Sequence, residues 1–428
     1  MQRCALGLIG WGTVGGGVLD LLARDGAVIR QRCGLDLAVT RIVTRDPGRA
    51  RTQSAAGATV GTDLRLILDD PAIGTVIHLV GGTDVARDIC LACIAAGKHV
   101  VTANKAMLAV HGDAIFAAAA AKGVGIAFEA AVAGAIPVIA AVRDGLVASR
   151  ITGISAILNG TCNYILTRME VDELSYTDAL AEAQRLGYAE ADPTIDVDGT
   201  DTAHKLALLA RIAFTARITM ADIRIEGIQN ISFQDIESAR TMGARIKLIA
   251  AARQRPEGLE LRVAPTLVPY EHPLADVSRN FNGIHIDSVA AGATLLVGQG
   301  AGALPTASAV LADVVDVVTG RYQLTSSRFN FFTTTAPLRL LPETEEVTSS
   351  YARFQVPDKP GILAGITNLL SQHGVSVQSI HQGQPDDRQC ATIEVVTHPL
   401  PGGSFLTAIE AIDRQGLTIK PTVTLRRL

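Results

Sequence analysis

Short apolar runs alternate along the first 130 residues with longer stretches in which apolar positions recur at helical spacing. Residues 3–9 form the first run. The turn Gly10-Trp11-Gly12-Thr13-Val14-Gly15 follows, and then Val18, Leu19, Leu21 and Leu22 mark one face of a helix. The same alternation predicts further strands over 37–43, 75–80, 99–102 and 124–128, and helices over 85–96 and 113–121. Short strands separated by helices pair in parallel through crossover connections. The expected class is therefore α/β, with a Rossmann-type, doubly wound parallel sheet.

The glycines give that sheet a chemical purpose. Between a strand and a helix, Gly10 permits the tight turn, Gly12 lets a pyrophosphate approach the backbone, and Gly15 lets the helix lie close to the strand. The phosphate would face the amides of Thr13 and Val14, where the helix dipole also favours negative charge. Gly81 and Thr102 fall just past later strands, at the carboxyl edge where such sheets bind ligands, and Lys105 follows. After the second strand come Thr44-Arg45-Asp46, with Arg49 and Arg51 nearby. Arg45 suits a 2′-phosphate and favours NADP; Asp46 leaves NAD open.

Composition narrows the class. The 428 residues are enough for two or three domains, and 48% hydrophobic against 19% charged residues argues for folded cores. A formal net charge of -4 with no basic block argues against nucleic acid or membrane lipid as partner. No apolar run reaches the ~18 residues of a membrane span. The six cysteines are irregularly spaced, and Cys90 and Cys93 sit among helix formers, which reads as buried packing rather than a redox or zinc pair. A soluble chain in a reducing, cytoplasmic compartment is expected. His78, inside a predicted strand, reads as a packed residue.

The densest chemistry lies in 183–205, AQRLGYAEADPTIDVDGTDTAHK. Glu190, Asp192, Asp196, Asp198 and Asp201 lead into an otherwise apolar helix, with Asp201 in its first turn, where a carboxylate is favoured. Lys205 follows four residues later on the same face, together with Leu208 and Ile212, whereas Arg211 points elsewhere. A lysine on a face destined for burial needs a partner, and Asp201 is the candidate. Beside a nucleotide domain, such a pair suits proton donation to a carbonyl oxygen as hydride reaches its carbon; the alternative is a structural buried ion pair. Glu190 and Asp196 could hold a substrate ammonium or be solvated loop acids.

This segment resembles the signature of the homoserine dehydrogenase family at each of its fixed positions, from Ala183 through Gly187-Tyr188-Ala189-Glu190-Ala191-Asp192-Pro193 to Asp196, Gly199, Asp201 and Lys205. Similar stretches occur in order over roughly residues 1 to 325. They include Gly97 to Lys105, Phe128 to Gly134, Ile157-Leu158-Asn159-Gly160-Thr161 and Gly300-Ala301-Gly302-Ala303-Leu304-Pro305-Thr306. The resemblance implies reversible NAD(P)H-dependent reduction of L-aspartate 4-semialdehyde to L-homoserine. It implies Lys205 as proton donor, Asp201 as orienting group, Lys105 as a second active-site lysine, and Glu190, with Tyr188 and Asp196, at the substrate. Asn159, Gly160 and Thr161 would line the substrate pocket, and the backbone of Gly302 would lie against the cofactor. Carbonyl oxygens of Glu129, Val132, Gly134 and Ile136 would hold a sodium ion. His78 departs from the family, which often carries an acid there; Cys162 replaces a frequent threonine.

Residues 305–319 resemble a helix that returns to the nucleotide domain, so that domain is expected over 1–134 and 306–325, with a substrate and dimerisation domain over 135–305. A Ser-, Thr- and Pro-rich linker over 326–349 leads to a βαββαβ pattern over 350–428. Its strands are expected at 351–356, from 375, at 391–397 and at 418–425, with a helix over 364–373. Together with Pro360-Gly361-Ile362-Leu363 and Gly374-Val375, the pattern resembles the ACT domain. That likeness implies an amino-acid effector, L-threonine by the logic of end-product inhibition, and a homodimer or homotetramer. The rival readings are another amino-acid dehydrogenase on the same fold and a non-catalytic amino-acid sensor. The first lacks an alternative proton donor, and the second would have lost a lysine, whereas Lys105, Asp201 and Lys205 are all present.

Overall fold

A computed structural model of the chain describes residues 2–48, 57–326, 339–384 and 390–428. Six strands, β1 (Gln2–Ile9), β2 (Leu35–Val43), β3 (Thr59–Gly61), β4 (Ile73–His78), β5 (His99–Thr102) and β6 (Ile126–Ala127), form a sheet in the order β3-β2-β1-β4-β5-β6. Its pairings are all parallel. The order reverses between β1 and β4, and the turns carrying Gly10 and Gly81 leave these two strands side by side. The first helix, Thr13–Cys33, packs against helix Ala303–Val318, so the later segment does return to this sheet.

Two elements of this region differ most from expectation, for physical reasons. The helix expected over 113–121 spans Lys105–Lys122, because the Asn104 side chain accepts from the Met107 amide at 2.9 Å and caps it. Its buried residues, including Met107, Leu108, Gly112 and Ile115, surround the axis and blur the periodicity. The strand expected over 124–128 shortens to β6, since Phe128 turns out of the extended region (φ -151°, ψ 31°) into a 3₁₀ turn.

The second sheet is built from β7 (Ile151–Ile157), β8 (Arg224–Ile225), β9 (Ala244–Arg255), β10 (Gly258–Pro269), β11 (Phe281–Ser288) and β12 (Gly292–Gln299). The helix Thr200–Phe214 lies against β7, β9 and β10, with Leu206, Leu208, Leu209 and Ile212 buried. Arg211, although off the Lys205 face, is buried too, and it pairs with Asp113 of the Lys105–Lys122 helix. This helix is thus enclosed on nearly every side. Among the described residues, no helix is long and apolar enough to cross a membrane.

The C-terminal segment continues the same sheet. After a short β13 (Val347–Thr348) come β14 (Ser350–Pro357), helix Ile362–Gln372, β15 (Val377–Gln382), β16 (Cys390–Thr397), β17 (Leu400–Pro401), helix Gly402–Arg414 and β18 (Val423–Arg427). The strand order is β12-β11-β7-β9-β10-β18-β14-β16-β15, so β18 joins this βαββαβ unit to β10 in parallel register. The last strand starts at Val423 rather than 418. The hydroxyls of Thr418 and Thr422 bind the Asp413 carboxylate at 2.9 and 2.6 Å and hold 418–422 in a turn. Of the expected linker, residues 327–338 lie outside the described residues. Its later part is fastened to β10, where Leu259 and Leu341 exchange backbone hydrogen bonds with Arg339 and Leu259.

A buried pair locks the unit in place. Asp235, the third residue of helix Phe233–Thr241, takes hydrogen bonds from Arg353 Nε at 2.6 Å and Nη2 at 3.0 Å, and from the Tyr351 hydroxyl at 3.2 Å. Removing one partner of a buried pair leaves the other charge unsatisfied. Arg353→Met is expected to cost about 3 kcal/mol, read as a lowered midpoint in urea unfolding; an unchanged midpoint would show that Asp235 needs no cation.

Candidate active site

The nucleotide end follows from the switch point. Gly10 adopts φ +100°, and a Cβ there would lie 2.8 Å from the Leu79 backbone. A Cβ on Gly15 would meet Gly10 O at 2.6 Å, whereas Gly12 has nothing within 4 Å. Two glycines are therefore required by packing, and the third keeps the backbone of the turn open to a ligand. Around them runs a cleft of about 750 Å³, lined by Gly10, Trp11, Gly12, Arg45, Gly81 and Asp84 among others. Its size, its glycine floor and the amides of Thr13 and Val14 at the helix start fit a dinucleotide. Arg45 is exposed at its rim; Arg49 and Arg51 lie outside the described residues.

The chemistry lies at the start of the enclosed helix. Lys205 Nζ donates to Asp201 Oδ2 at 2.7 Å and to the Leu158 carbonyl at 2.6 Å. Asp201 Oδ1 sits 3.1 Å from Lys105 Nζ, and Asn159 Nδ2 donates to Asp201 Oδ2 at 2.9 Å and to Asp196 Oδ1 at 2.7 Å. Lys205 and Asp201 are buried, while Lys105 is a third exposed. Burial pushes the Asp201 carboxyl upward, but Lys205 and Lys105, with the hydrogen bonds from Lys205 and Asn159, overcome it and hold the group well below the usual carboxylate range. Burial raises Asp196, and the neighbouring Asp201 charge raises it further.

Asn159 also caps helix Gly160–Val171 by accepting from Cys162 N at 2.8 Å, and Thr161 Oγ1 donates to Tyr188 O at 2.7 Å. Gly160 has room for no side chain: a Cβ would sit 2.7 Å from Asn280 O. Lys205, Asp201, Lys105, Asn159 and Asp196 thus form one hydrogen-bonded cluster, with Gly160 and Thr161 beside it. The Glu190 carboxylate is not part of it. Glu190 is exposed, as is Tyr188, and its carboxylate makes no hydrogen bond with the described residues.

Asn104, which sequence reasoning left without a role, connects the two ends. Besides capping the Lys105 helix, it donates to the carbonyls of Val80 at 2.8 Å and Gly82 at 2.7 Å. Its amide in turn donates to Thr102 Oγ1 at 3.1 Å. An asparagine just before an apolar helix was the available signal. Gly302, with φ +123°, precedes helix Ala303–Val318, whose first carbonyl would lie 2.6 Å from a Cβ on Gly17.

In the 129–136 loop, Ala133 and Gly134 are both left-handed, with φ 57° and 55°. The Glu129 carboxylate takes the amides of Ile139 and Ala140 at 2.7 and 2.8 Å, and burial pushes its pKa up to about 7. Among the described residues, no group of three or more His, Cys, Asp or Glu side chains is placed to hold a metal ion. Cys90 and Cys93 are fully buried and pushed up to about 12 by burial, as packing thiols should be.

A cleft sized for a dinucleotide, joined through one asparagine to a lysine pair that shares a buried carboxylate, defines the class: a nicotinamide-dependent oxidoreductase. Residues 10–129 match the family described as "Homoserine dehydrogenase, NAD binding domain", residues 137–315 match "Homoserine dehydrogenase", and residues 350–416 match "ACT domain". The chain is 40% identical to a homoserine dehydrogenase of Pseudomonas aeruginosa over 100% of this chain and 99% of that one. It is 41% identical to one of Corynebacterium glutamicum over 92% and 88%. A solved homoserine dehydrogenase of Thiobacillus denitrificans superposes with a TM-score of 0.92 at 39% identity, covering 100% and 98% of the two chains. The chain belongs to the homoserine dehydrogenase family.

Two outcomes are expected. Gly12→Val should leave the melting temperature unchanged, since the position is open, yet raise the KM for the cofactor at least ~10-fold; an unaltered KM would remove the turn from the cofactor site. His78 is fully buried, neither ring nitrogen is hydrogen-bonded to the described residues, and burial lowers its pKa to about 4. The fold favours the neutral ring, so its contribution is complete above the unfolded value of about 6.5 and is lost as pH falls from there towards 4, roughly 3 kcal/mol in all. Chemical denaturation across that window should show this slope, and His78→Leu should flatten it.

Proposed function

We propose that this chain interconverts L-aspartate 4-semialdehyde and L-homoserine, with Lys205 as the proton donor to the aldehyde oxygen. The observation that carries this reading is the valence of Lys205 Nζ. An ammonium has three donors, two are held by Leu158 O and Asp201 Oδ2, and nothing among the described residues accepts the third. That proton is left for a substrate oxygen. A nicotinamide held by the glycine turn would supply the hydride chemistry in both directions.

The chain's own groups do the rest. Asp201 acts as the positioning group, keeping both ammonium heads within one carboxylate's reach, and negative charge growing on the substrate oxygen meets two cations held ready in place. Asn159, Gly160 and Thr161 shape the wall opposite, and Glu190, Tyr188 and Asp196 are assigned to the substrate's ammonium end. In the oxidising direction Lys205 accepts the hydroxyl proton. The cofactor set is Gly10, Gly12, Thr13, Val14, Gly15, Gly81, Thr102, Lys105 and Gly302, and Arg45 supports NADP over NAD.

Sodium is assigned to the carbonyls of Glu129, Val132, Gly134 and Ile136. The support is the pair of left-handed residues at 133 and 134, and no amide of the described residues donates to Val132 O or Gly134 O. L-Threonine is the proposed effector of the ACT unit; the support is the Pro360-Gly361-Ile362-Leu363 turn of the 358–363 loop, which carries the likeness to ACT domains. The exposed edge strand β15 supports self-association into a homo-oligomer.

Lys205→Ala is expected to lower kcat for L-homoserine oxidation at least ~10²-fold while cofactor affinity holds. Turnover near wild type, followed at the absorbance of the reduced cofactor, would falsify the assignment.

A further inference from the structure

A second cavity, of about 370 Å³, includes none of the residues discussed for catalysis. Three parts of the chain enclose it: the 221–226 segment with β10, the 340–346 segment, and Thr424 and Arg426 of β18. It lies at the seam between the substrate domain and the ACT unit. Its volume falls at the lower end of the roughly 300–1,000 Å³ of ligand pockets.

Most charges lining it are already matched. Arg426 pairs with Glu343 and Glu346, and Arg224 pairs with Glu343. Two groups are not. The Arg262 side chain is 6% exposed and pairs only loosely with Glu260 and Glu346, at 3.5 and 4.0 Å; its Nε and Nη1, which are closed to solvent, and its Nη2, which is not, make no hydrogen bond with the described residues. The half-buried Glu226 carboxylate makes no hydrogen bond with the described residues; burial raises its pKa, and Arg224 and Arg426 oppose that.

A buried guanidinium with unmade hydrogen bonds is costly, and the group that satisfies it best is a planar carboxylate. A free carboxylate in the same cavity calls for an ammonium. We propose that this cavity binds a free α-amino acid, with Arg262 donating to its carboxylate and Glu226 accepting from its ammonium. The site is separate from the 358–363 loop and does not rest on the effector assigned there.

The position of the cavity gives such a ligand a lever on catalysis. In the parallel pair β8 and β10, Arg224 lies opposite Arg262 and Ile225 opposite Val263. The arginines line the cavity, while Ile225 and Val263 pack on the other face against Gly199, where a Cβ would sit 3.0 and 3.2 Å from them. Gly199 is the N-cap of the helix bearing Asp201 and Lys205, and Ile228 N ties the same segment to Val197 O at 2.9 Å. Two strands therefore separate the cavity from the catalytic turn.

The test uses the full-length protein. Each standard amino acid is screened at millimolar concentration for a rise in melting temperature, and each positive is titrated calorimetrically into wild type, Glu226→Gln, Arg262→Gln and Leu363→Trp. At least one amino acid should bind wild type and Leu363→Trp alike and bind Glu226→Gln at least ~10-fold more weakly, with acetate and ethylamine failing to compete. Glu226→Gln alters an unpaired, half-buried group and serves even if Arg262→Gln does not fold. The proposal is overturned if no amino acid binds, if affinity is the same in wild type and Glu226→Gln, or if only Leu363→Trp weakens it. L-Homoserine oxidation in the same variants reports on the catalytic reading independently.

Discussion

One carboxylate, Asp201, is shared between two ammonium groups, and the site depends on that sharing. Removing a carboxylate from water costs several kcal/mol, and the same holds for a lysine. Here each offsets the other, Asn159 adds a hydrogen bond to the carboxylate, and the Leu158 carbonyl takes a second Lys205 proton, leaving the third uncommitted. The arrangement requires a helix start at Gly199, so that Asp201 and Lys205 share a face. It requires a capped helix at Lys105 and a turn at Asn159 that points an amide at the carboxylate. Three separate stretches of chain converge because this charge must be balanced out of water.

The parallel sheet serves that centre by its topology. Its switch point leaves two strand ends open side by side, and the glycine turn after β1 and the Gly81 loop after β4 border one cleft. Asn104 ties that loop to the helix whose first residue is Lys105. Nucleotide cleft and buried charges are thereby joined by hydrogen bonds rather than by a free linker, which keeps the reacting ends in register.

The mixed sheet carries the C-terminal unit as an extension of itself. Because β18 pairs with β10, and among the described residues Asp235 is satisfied by Tyr351, Arg353 and its own helix cap, the ACT unit is part of the structure that seats the helix bearing Asp201 and Lys205. Removing it whole would strip a strand from β10 and strand a buried carboxylate, so point changes separate regulation from stability better than truncation does.

Much of this was legible from residue order alone, because its causes are local. A glycine-rich turn between strand and helix, an acid in a helix's first turn with a lysine four residues on, and the βαββαβ pattern are all set by spacing and backbone chemistry. What required the tertiary structure depends on neighbours distant in sequence. Asp201 reaches Lys105 across 96 positions, Arg211 is buried against Asp113 of the Lys105 helix and the Ile218 carbonyl, and Glu190, prominent in the motif, stands apart from the buried cluster. The start of β18 was decided by the Asp413 carboxylate, and the fusion of two sheets by a strand pairing that no periodicity records. Local rules choose elements, whereas burial of charge and strand-edge pairing choose which elements meet.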